Sequence, residues 1–302
     1  MNSEPGAGKR PRTNDEEQRT NPVDSNRESP RRETPGRIFV SEFVCGGAWP
    51  EDSLEPSLAR EGRAMLTAIV ADLLRIPGCE VVTTWDRRLG EFPSCEVAGT
   101  LVNPGEPRLK IHCATPQDEA EQFRNLCRTS DAALVIAPEF DGILTDRVAT
   151  AAPLTTILGP DEPAVSLCSD KLILARFLEE RQIATVPTAL VNLTEPASHW
   201  KFPVVLKPQN GAGSLQTFLV TNSTEFVRRC HEASGAGWAS RFIHQPFIPG
   251  EPISAAVIID STGQRHFLPG VRQLLSENRR FEYLGAGWNP LMGNWQRPAP
   301  DA

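Results

Sequence analysis

The chain has 302 residues, 39% of them hydrophobic, with a formal charge of −7 and a pI near 5.4. That length is enough for two domains, the acidic balance argues against a general nucleic-acid binder, and no apolar run approaches the roughly 18 residues of a membrane span. The seven cysteines show no CxxC spacing and the five histidines are isolated, which fits scattered reduced thiols in the cytoplasm rather than a disulfide framework or a zinc site.

Residues 1–36 hold almost no apolar side chains, and their seven basic residues are matched by seven acidic ones. Such a segment cannot bury enough surface to offset its ordering entropy, so a disordered tail is expected, with no apolar segment of the signal-peptide kind. The charge of −7 therefore belongs to the rest of the chain. The fold is expected to start at Ile38-Phe39-Val40, a short strand feeding the glycine turn at Gly46-Gly47. Leu58, Met65, Leu66, Ile69, Val70, Leu73 and Leu74 recur at helical spacing and predict a helix from about Ser57 to Arg75, closed by Pro77-Gly78. Glu80–Thr84 and Leu109–Cys113 read as strands and Gln117–Thr129 as a helix. His112 and Cys113 would point to opposite faces of their strand, which argues against a shared metal. Ala132–Ala137 is a continuous apolar run of the kind buried on both faces, and Ile143–Ala151 begins another helix. Strand and helix alternating at this period predict a parallel α/β domain, Rossmann-like, over 37–158. Glu42, Asp86, Glu139 and Asp141 fall at strand ends, where ligands bind in such sheets. These carboxylates either cap the following turns or contact an amine or other substrate.

From residue 159 the texture changes to a second, α+β domain running to 302. Ser169 reads as the N-cap and Asp170 as a first-turn acid of a helix carrying Lys171 and reaching Glu180. Ile183–Leu190, with Pro187, reads as an edge strand. Pro203–Leu206 and Thr217–Val220 read as a hairpin whose loop holds Gly211, Ala212, Gly213 and Ser214, with Lys207 at the end of its first strand. A glycine-rich loop lets backbone N–H groups approach an anion, and the lysine adds positive charge; an ordinary surface hairpin has the same pattern. Asn222–Ala233 is a helix, Arg241–Ile248 a strand, Ile253–Asp260 another, paired to a third at His266–Leu268. After Gly270 the pattern weakens. Neither G-x-x-x-x-G-K-[ST] nor G-x-G-x-x-G occurs.

Lys171, Lys207 and the segment from Gln245 to Glu251 stand in an order that offers cations for phosphates, apolar walls for a base and a carboxylate for ribose. The segments FVSEFVCGGAW, SLAREGRAML, IAPEFDGIL, SDKLILARFLEERQIATVPT, PVVLKPQNGAGS and QPFIPGEPIS together resemble the ATP-grasp superfamily, and within it the group of the tyramine–glutamate ligases. The resemblance implies a pre-ATP-grasp domain followed by an ATP-grasp domain. It implies that Lys171 and Lys207 contact ATP phosphates and that Gly211, Ala212, Gly213 and Ser214 form the lid over them. It further implies that Gln245, Pro246, Phe247 and Ile248 hold adenine through backbone atoms, although many members carry Glu where Gln245 stands. Glu251 would bind ribose and Arg272 would face an acyl phosphate as the catalytic residue. Glu42, Glu139 and Asp141 are candidate substrate contacts.

The implied chemistry is amide formation from small-molecule carboxylate and amine substrates through an acyl phosphate, with glutamate and tyramine or a related amine as the pair. Mg²⁺ is implied as well, but the acid and the E-x-N-P-R-like strand that hold it in relatives have no match here. Glu277-Asn278 lacks the spacing and Asn289-Pro290 lacks the acid. A C-terminally truncated or split ligase is therefore expected, with an incomplete ATP-grasp domain. The alternatives are a non-catalytic nucleotide-binding protein and a subunit that completes its fold with a separately encoded C-terminal fragment; a homo-oligomer is the other partner arrangement left open.

Overall fold

The computed structural model describes residues 36–50, 54, 56–93, 95–97, 100–102, 107–191, 201–211, 214–235 and 241–288. The expected disordered tail, except Gly36, lies outside the described residues. In chain order the first half contains β1 (Arg37–Glu42), α1 (Pro56–Leu74), β2 (Glu80–Asp86), the hairpin strands β3 (Cys95–Val97) and β4 (Thr100–Val102), β5 (Leu109–Ala114), α2 (Glu119–Arg128), β6 (Ala132–Ile136), α3 (Ile143–Ala151) and β7 (Thr156–Ile157). Five of these strands form a parallel sheet of order β5-β2-β1-β6-β7.

Alternation along the strands assigns the two faces. Val40, Val81 and Trp85 meet Leu66, Val70 and Leu74 of α1 on one side. Phe39, Val82 and Ala133 meet Phe123 and Leu126 of α2 and Ala151 of α3 on the other. Each large side chain buried there contributes about 1.5–3 kcal/mol of transfer free energy, which explains why helices cover both faces. The chain moves outward from β1 to β2 and β5, then returns to place β6 on the other side of β1. Connections therefore leave the carboxyl ends of β1 and β6 in opposite directions and open a crevice between them. The glycine turn after β1 is a π-helical turn, Val44–Ala48.

The second half contains α4 (Glu162–Ser169), α5 (Lys171–Glu180), β8 (Ala189–Leu190), β9 (Val204–Pro208), β10 (Phe218–Val220), α6 (Ser223–Gly235), β11 (Phe242–Pro246), β12 (Ile253–Ser254), β13 (Val257–Ile259), β14 (Arg265–Phe267), β15 (Val271–Leu275) and β16 (Tyr283–Trp288). An antiparallel sheet of order β10-β9-β11-β8 packs Val204, Leu206, Phe218, Val220 and Phe242 against Phe226 and Cys230 of α6. A second sheet of order β12-β15-β16 and the pair β13–β14 follow. The fold is thus mixed α/β, a parallel domain followed by antiparallel sheets.

Several local expectations are corrected. Ser169 ends α4, and Asp170 is the N-cap of α5, accepting the Leu172 and Ile173 N–H groups at 3.0 and 2.9 Å. Of Ile183–Leu190 only Ala189–Leu190 pairs as a strand; it does lie at the sheet edge. Ile253–Asp260 is two strands, because Ser254 pairs with Val271 while Val257 pairs with Phe267. β15 and β16 run through the stretch after Gly270. Gly285 and Gly287 depress the strand propensity there, and pairing with β15 supplies what local sequence does not. The run at β6 is fully buried only at Ala133, since its later residues Val135 and Ile136 line the crevice.

Arg147 of α3 bridges the layers. Its guanidinium donates twice to Glu119 of α2, once at 3.0 Å, and lies 3.9 Å from the Phe123 ring centroid and 5.3 Å from that of Phe43. The two charged side chains are 12% and 3% exposed. Arg147→Met would leave a buried carboxylate uncompensated and is expected to cost about 3–5 kcal/mol in urea unfolding. Arg75→Met, whose exposed pairing with Asp72 is solvated, should cost under about 1 kcal/mol. Equal effects of the two variants would show that Arg147 is not a structural tie.

Candidate functional site

Period-2 alternation in β9 sends Val204, Leu206 and Pro208 into the core and leaves Val205 and Lys207 on the opposite face. Both line a cavity of about 1300 Å³. The same cavity is lined by Lys171, Gly211, Ser214, Gln245, Pro246, Phe247, Ile248, Glu251 and Arg272, so the candidate residues of the second half that are described converge on one place. Ala212 and Gly213 lie outside the described residues.

Lys207 sits in an unfavourable setting for an ammonium. Burial, reinforced by the neighbouring Lys171 charge, pushes it down to about 8. Its Nζ has no hydrogen-bond or ion-pair partner among the described residues. Burial also lowers Lys171, although Glu139 and Asp170 pull it back up. Lys171 is held in place by the start of α5. Asp170 caps the helix through Oδ1 and accepts Gln209 Nε2 through Oδ2 at 2.6 Å, while Lys171 N–H donates to the Gln209 carbonyl at 3.1 Å. This ties the helix N-terminus to the residue that follows β9 and so fixes the two lysines side by side. The Lys171 ammonium donates to the Gly211 carbonyl at 2.7 Å.

The described residues of the loop after β9, Gly211, Ser214, Leu215 and Thr217, line the same cavity. Gly211 has φ +152°, a conformation that favours glycine. Ser214 Oγ donates to the Phe281 carbonyl at 2.7 Å, and Leu219 N–H to the Arg279 carbonyl at 2.9 Å, so the turn between β15 and β16 closes the far wall. Phe281 from that turn faces Phe247, with ring centroids 6.3 Å apart and planes 29° from parallel. Gln245 Nε2 donates to Thr188 Oγ1 at 2.8 Å. Phe247 N–H is taken by the Pro203 carbonyl at 3.0 Å, whereas Ile248 N–H has no acceptor among the described residues. Glu251 and Arg272 pair with each other at 2.9 Å, both about half exposed.

The carboxylates of the first half separate into different roles. Asp86 is buried, accepts the Arg88 N–H at 2.8 Å and pairs with the Arg88 guanidinium, which makes it a cap. Glu42 is 2% exposed and accepts the Cys45 N–H at 2.5 Å; burial pushes its carboxyl up, against the pull of backbone N–H groups and Arg147. Glu42 and Glu139 line the crevice between β1 and β6. Asp141 is exposed, at φ +54° in a 3-10 turn, and lines neither cavity.

Sequence reasoning missed Gln209, Thr188 and Phe281. It also put the cap one residue early, at Ser169, although an Asp directly before an apolar stripe was the signal for Asp170; nothing local marks Phe281. Among the described residues, no three His, Cys, Asp or Glu side chains converge where a metal could be held. No helix of the described residues is long and apolar enough to cross a membrane.

Residues 79–165 match the pre ATP-grasp 3 domain and residues 168–292 match the ATP-grasp domain. A D-alanine–D-alanine ligase of Clostridium botulinum (strain Eklund 17B / Type B) is 28% identical over 151 residues, 47% of this chain and 49% of that protein. The chain thus spans about half the length of the curated relatives it matches. An ATP-grasp superfamily protein from Archaeoglobus fulgidus superposes with TM-score 0.53 at 21% identity, over 83% of this chain and 64% of that one. N5-carboxyaminoimidazole synthetase from Staphylococcus aureus, complexed with ADP, gives TM-score 0.54 at 16% identity over 81% and 56%. At these identities the two structures show a shared fold.

The Lys207 setting predicts a stability signature. Its ammonium is destabilising wherever it is protonated in the folded state, that is below about pH 8, and the penalty fades as pH rises toward the ordinary lysine value of 10.5. Lys207→Met is therefore expected to stabilise the fold at pH 7, by roughly 1–3 kcal/mol, and to remove the rise in stability between pH 8 and 10.5. Chemical unfolding across that pH range checks both; a Lys207→Met protein less stable than wild type would contradict the desolvated, unpaired ammonium.

Proposed function

The chain carries the paired domains of the ATP-grasp superfamily, and from that premise we propose that it is an ATP-dependent carboxylate–amine ligase. The observation that carries the reading is the Lys207 ammonium, which has no acceptor among the described residues and lines one cavity with Lys171. Two neighbouring cations, one of them without a partner among the described residues, are an arrangement suited to a polyphosphate.

In this reading Lys171 and Lys207 bind the ATP phosphates. The loop from Gly211 to Ser214 covers them and excludes water. The strand end from Gln245 to Ile248 receives adenine, with Ile248 N–H as the available backbone donor. Glu251 accepts the ribose hydroxyls, and Arg272 faces the acyl phosphate. The Glu251–Arg272 pair is solvated enough to open at small cost. The terminal phosphoryl group passes to a substrate carboxylate, giving ADP and an acyl phosphate. An amine then attacks the acyl carbon, phosphate departs, and the amine loses a proton as the amide forms. Arg272 and Lys207 stabilise charge on the oxygens of the transferring group. Magnesium is assigned no residue and no step. Glutamate is the proposed carboxylate and tyramine or a related amine the proposed nucleophile, in the cytoplasm.

Calorimetry tests the nucleotide reading. Wild-type chain is expected to bind ATP, with Lys207→Ala and Glu251→Ala each weakening binding roughly tenfold or more. Because the free Lys207 ammonium titrates near 8, ATP affinity should fall as pH rises through that value, with proton uptake on binding above it. A folded sample that does not bind ATP refutes the proposal. ADP release dependent on glutamate and tyramine tests turnover; ATP binding without it would support a nucleotide-binding protein instead.

A further inference from the structure

We propose that Lys207 is a site of covalent acylation by small acyl phosphates, with Lys171 as the anchor for the phosphate group. The inference goes beyond the ligase reading and does not require it, since it needs only a phosphorylated carboxylate from solution.

The geometry divides the work between the two lysines. Lys207 lies on the same face of β9 as Val205, and both line the cavity of about 1300 Å³. Its amine has no hydrogen-bond or ion-pair partner among the described residues. Lys171 is held: its ammonium donates to the Gly211 carbonyl at 2.7 Å, and the charges of Glu139 and Asp170 favour its protonated form. The other charged residues of the cavity lining are Glu251 and Arg272, which pair with each other, and Glu277, and the charge that acts on Lys207 is that of Lys171. Lys171 therefore stays the cation and Lys207 becomes the amine. A lysine that is removed from water and set beside another cation has the activation of a nucleophilic lysine.

Burial and Lys171 push Lys207 down to about 8, so roughly a tenth of it is free amine at pH 7, against about one part in 3,000 for an ordinary lysine. A weaker base is a weaker nucleophile, as it is among thiols, which takes back part of that gain and leaves about tenfold. Only an anionic electrophile profits from Lys171. An acyl phosphate offers the Lys171 ammonium a charged acceptor in place of the neutral Gly211 carbonyl. That contact brings its carbonyl carbon, one oxygen removed from phosphorus, to the neighbouring amine. The Lys207 nitrogen attacks this carbon, the carbon–oxygen bond to phosphate breaks with its electron pair on phosphate, and the nitrogen releases a proton to water. The products are an Nε-acyl-lysine and inorganic phosphate, and no oxidant or further reactant is needed. The amide carries no charge, so the modification removes one of the two lysine cations of the cavity and disfavours a polyphosphate there.

The test is mass spectrometry of the full chain treated with acetyl phosphate, with Lys110 and Lys201, both exposed, as internal references. At pH 7 Lys207 should acetylate about tenfold faster than either. Its rate should rise up to about pH 8 and then level off, because the free amine forms through that value, while the references keep gaining toward pH 10.5. Inorganic tripolyphosphate should protect Lys207 and leave the references unchanged. Lys171→Met should slow Lys207 acetylation several-fold; if that variant does not fold, tripolyphosphate protection of the wild-type chain carries the same point. Lys207 acetylated no faster than Lys110 and Lys201, or at a rate that tripolyphosphate does not change, overturns the proposal. A chain acetylated at Lys207 that fails to bind ATP would refute the nucleotide reading alone. One that binds ATP while Lys207 stays unmodified would refute this inference alone.

Discussion

Two ammonium groups held close together in a partly dry cavity are the constraint on which the second half of this protein depends. Left alone, Lys171 and Lys207 would swing apart into water, since both lose solvation and repel each other where they are. Neither can do so. Lys207 is on the inner face of a central strand whose other face is sealed by Val204, Leu206 and Pro208. Lys171 is pinned by the Asp170–Gln209 contact and by its own bond to the Gly211 carbonyl. The sheet-to-helix core around Phe218, Phe226 and Phe242 supplies the stability that this arrangement consumes.

Preorganisation is the gain. An anion arriving between the two lysines meets charge that has already been desolvated and positioned, and no side-chain freedom must be lost to assemble it. The loop bonds fit that picture. Ser214 and Leu219 both reach the turn after β15, so that turn is tied to the β9–β10 hairpin through the backbone carbonyls of Phe281 and Arg279 and not through side chains that a ligand would displace. The carbonyl of Gly211 occupies Lys171 in the meantime, a weak neutral acceptor that a phosphate oxygen would outcompete.

What was legible in the sequence follows from the range of the forces involved. The parallel sheet and its helices were readable because Phe39, Val40, Leu66 and Val70 repeat with the period of their own element. Lys171, Lys207, Gln245 and Glu251 could be picked out because their order along the chain carries a resemblance, and they line one cavity here. The Phe247–Phe281 pair and the Gln209–Asp170 tie were not readable, because each joins residues more than 30 positions apart with no local pattern. The split of Ile253–Asp260 also escaped, since only strand partners decide it. Asp86 bears out one of the two readings open in the sequence: it caps the following turn, with Arg88 two residues later as its partner.

The same comparison separates Glu42 from Asp86, although both are buried acids at the carboxyl edge of one sheet. Asp86 is neutralised by Arg88 on its own turn, so its burial is compensated within the fold. Glu42 receives backbone N–H groups but no committed cation, and the helix opposite carries a glycine to accommodate it. A fold selected only for stability would remove such a group, because a well-packed apolar residue there costs less than a desolvated carboxylate.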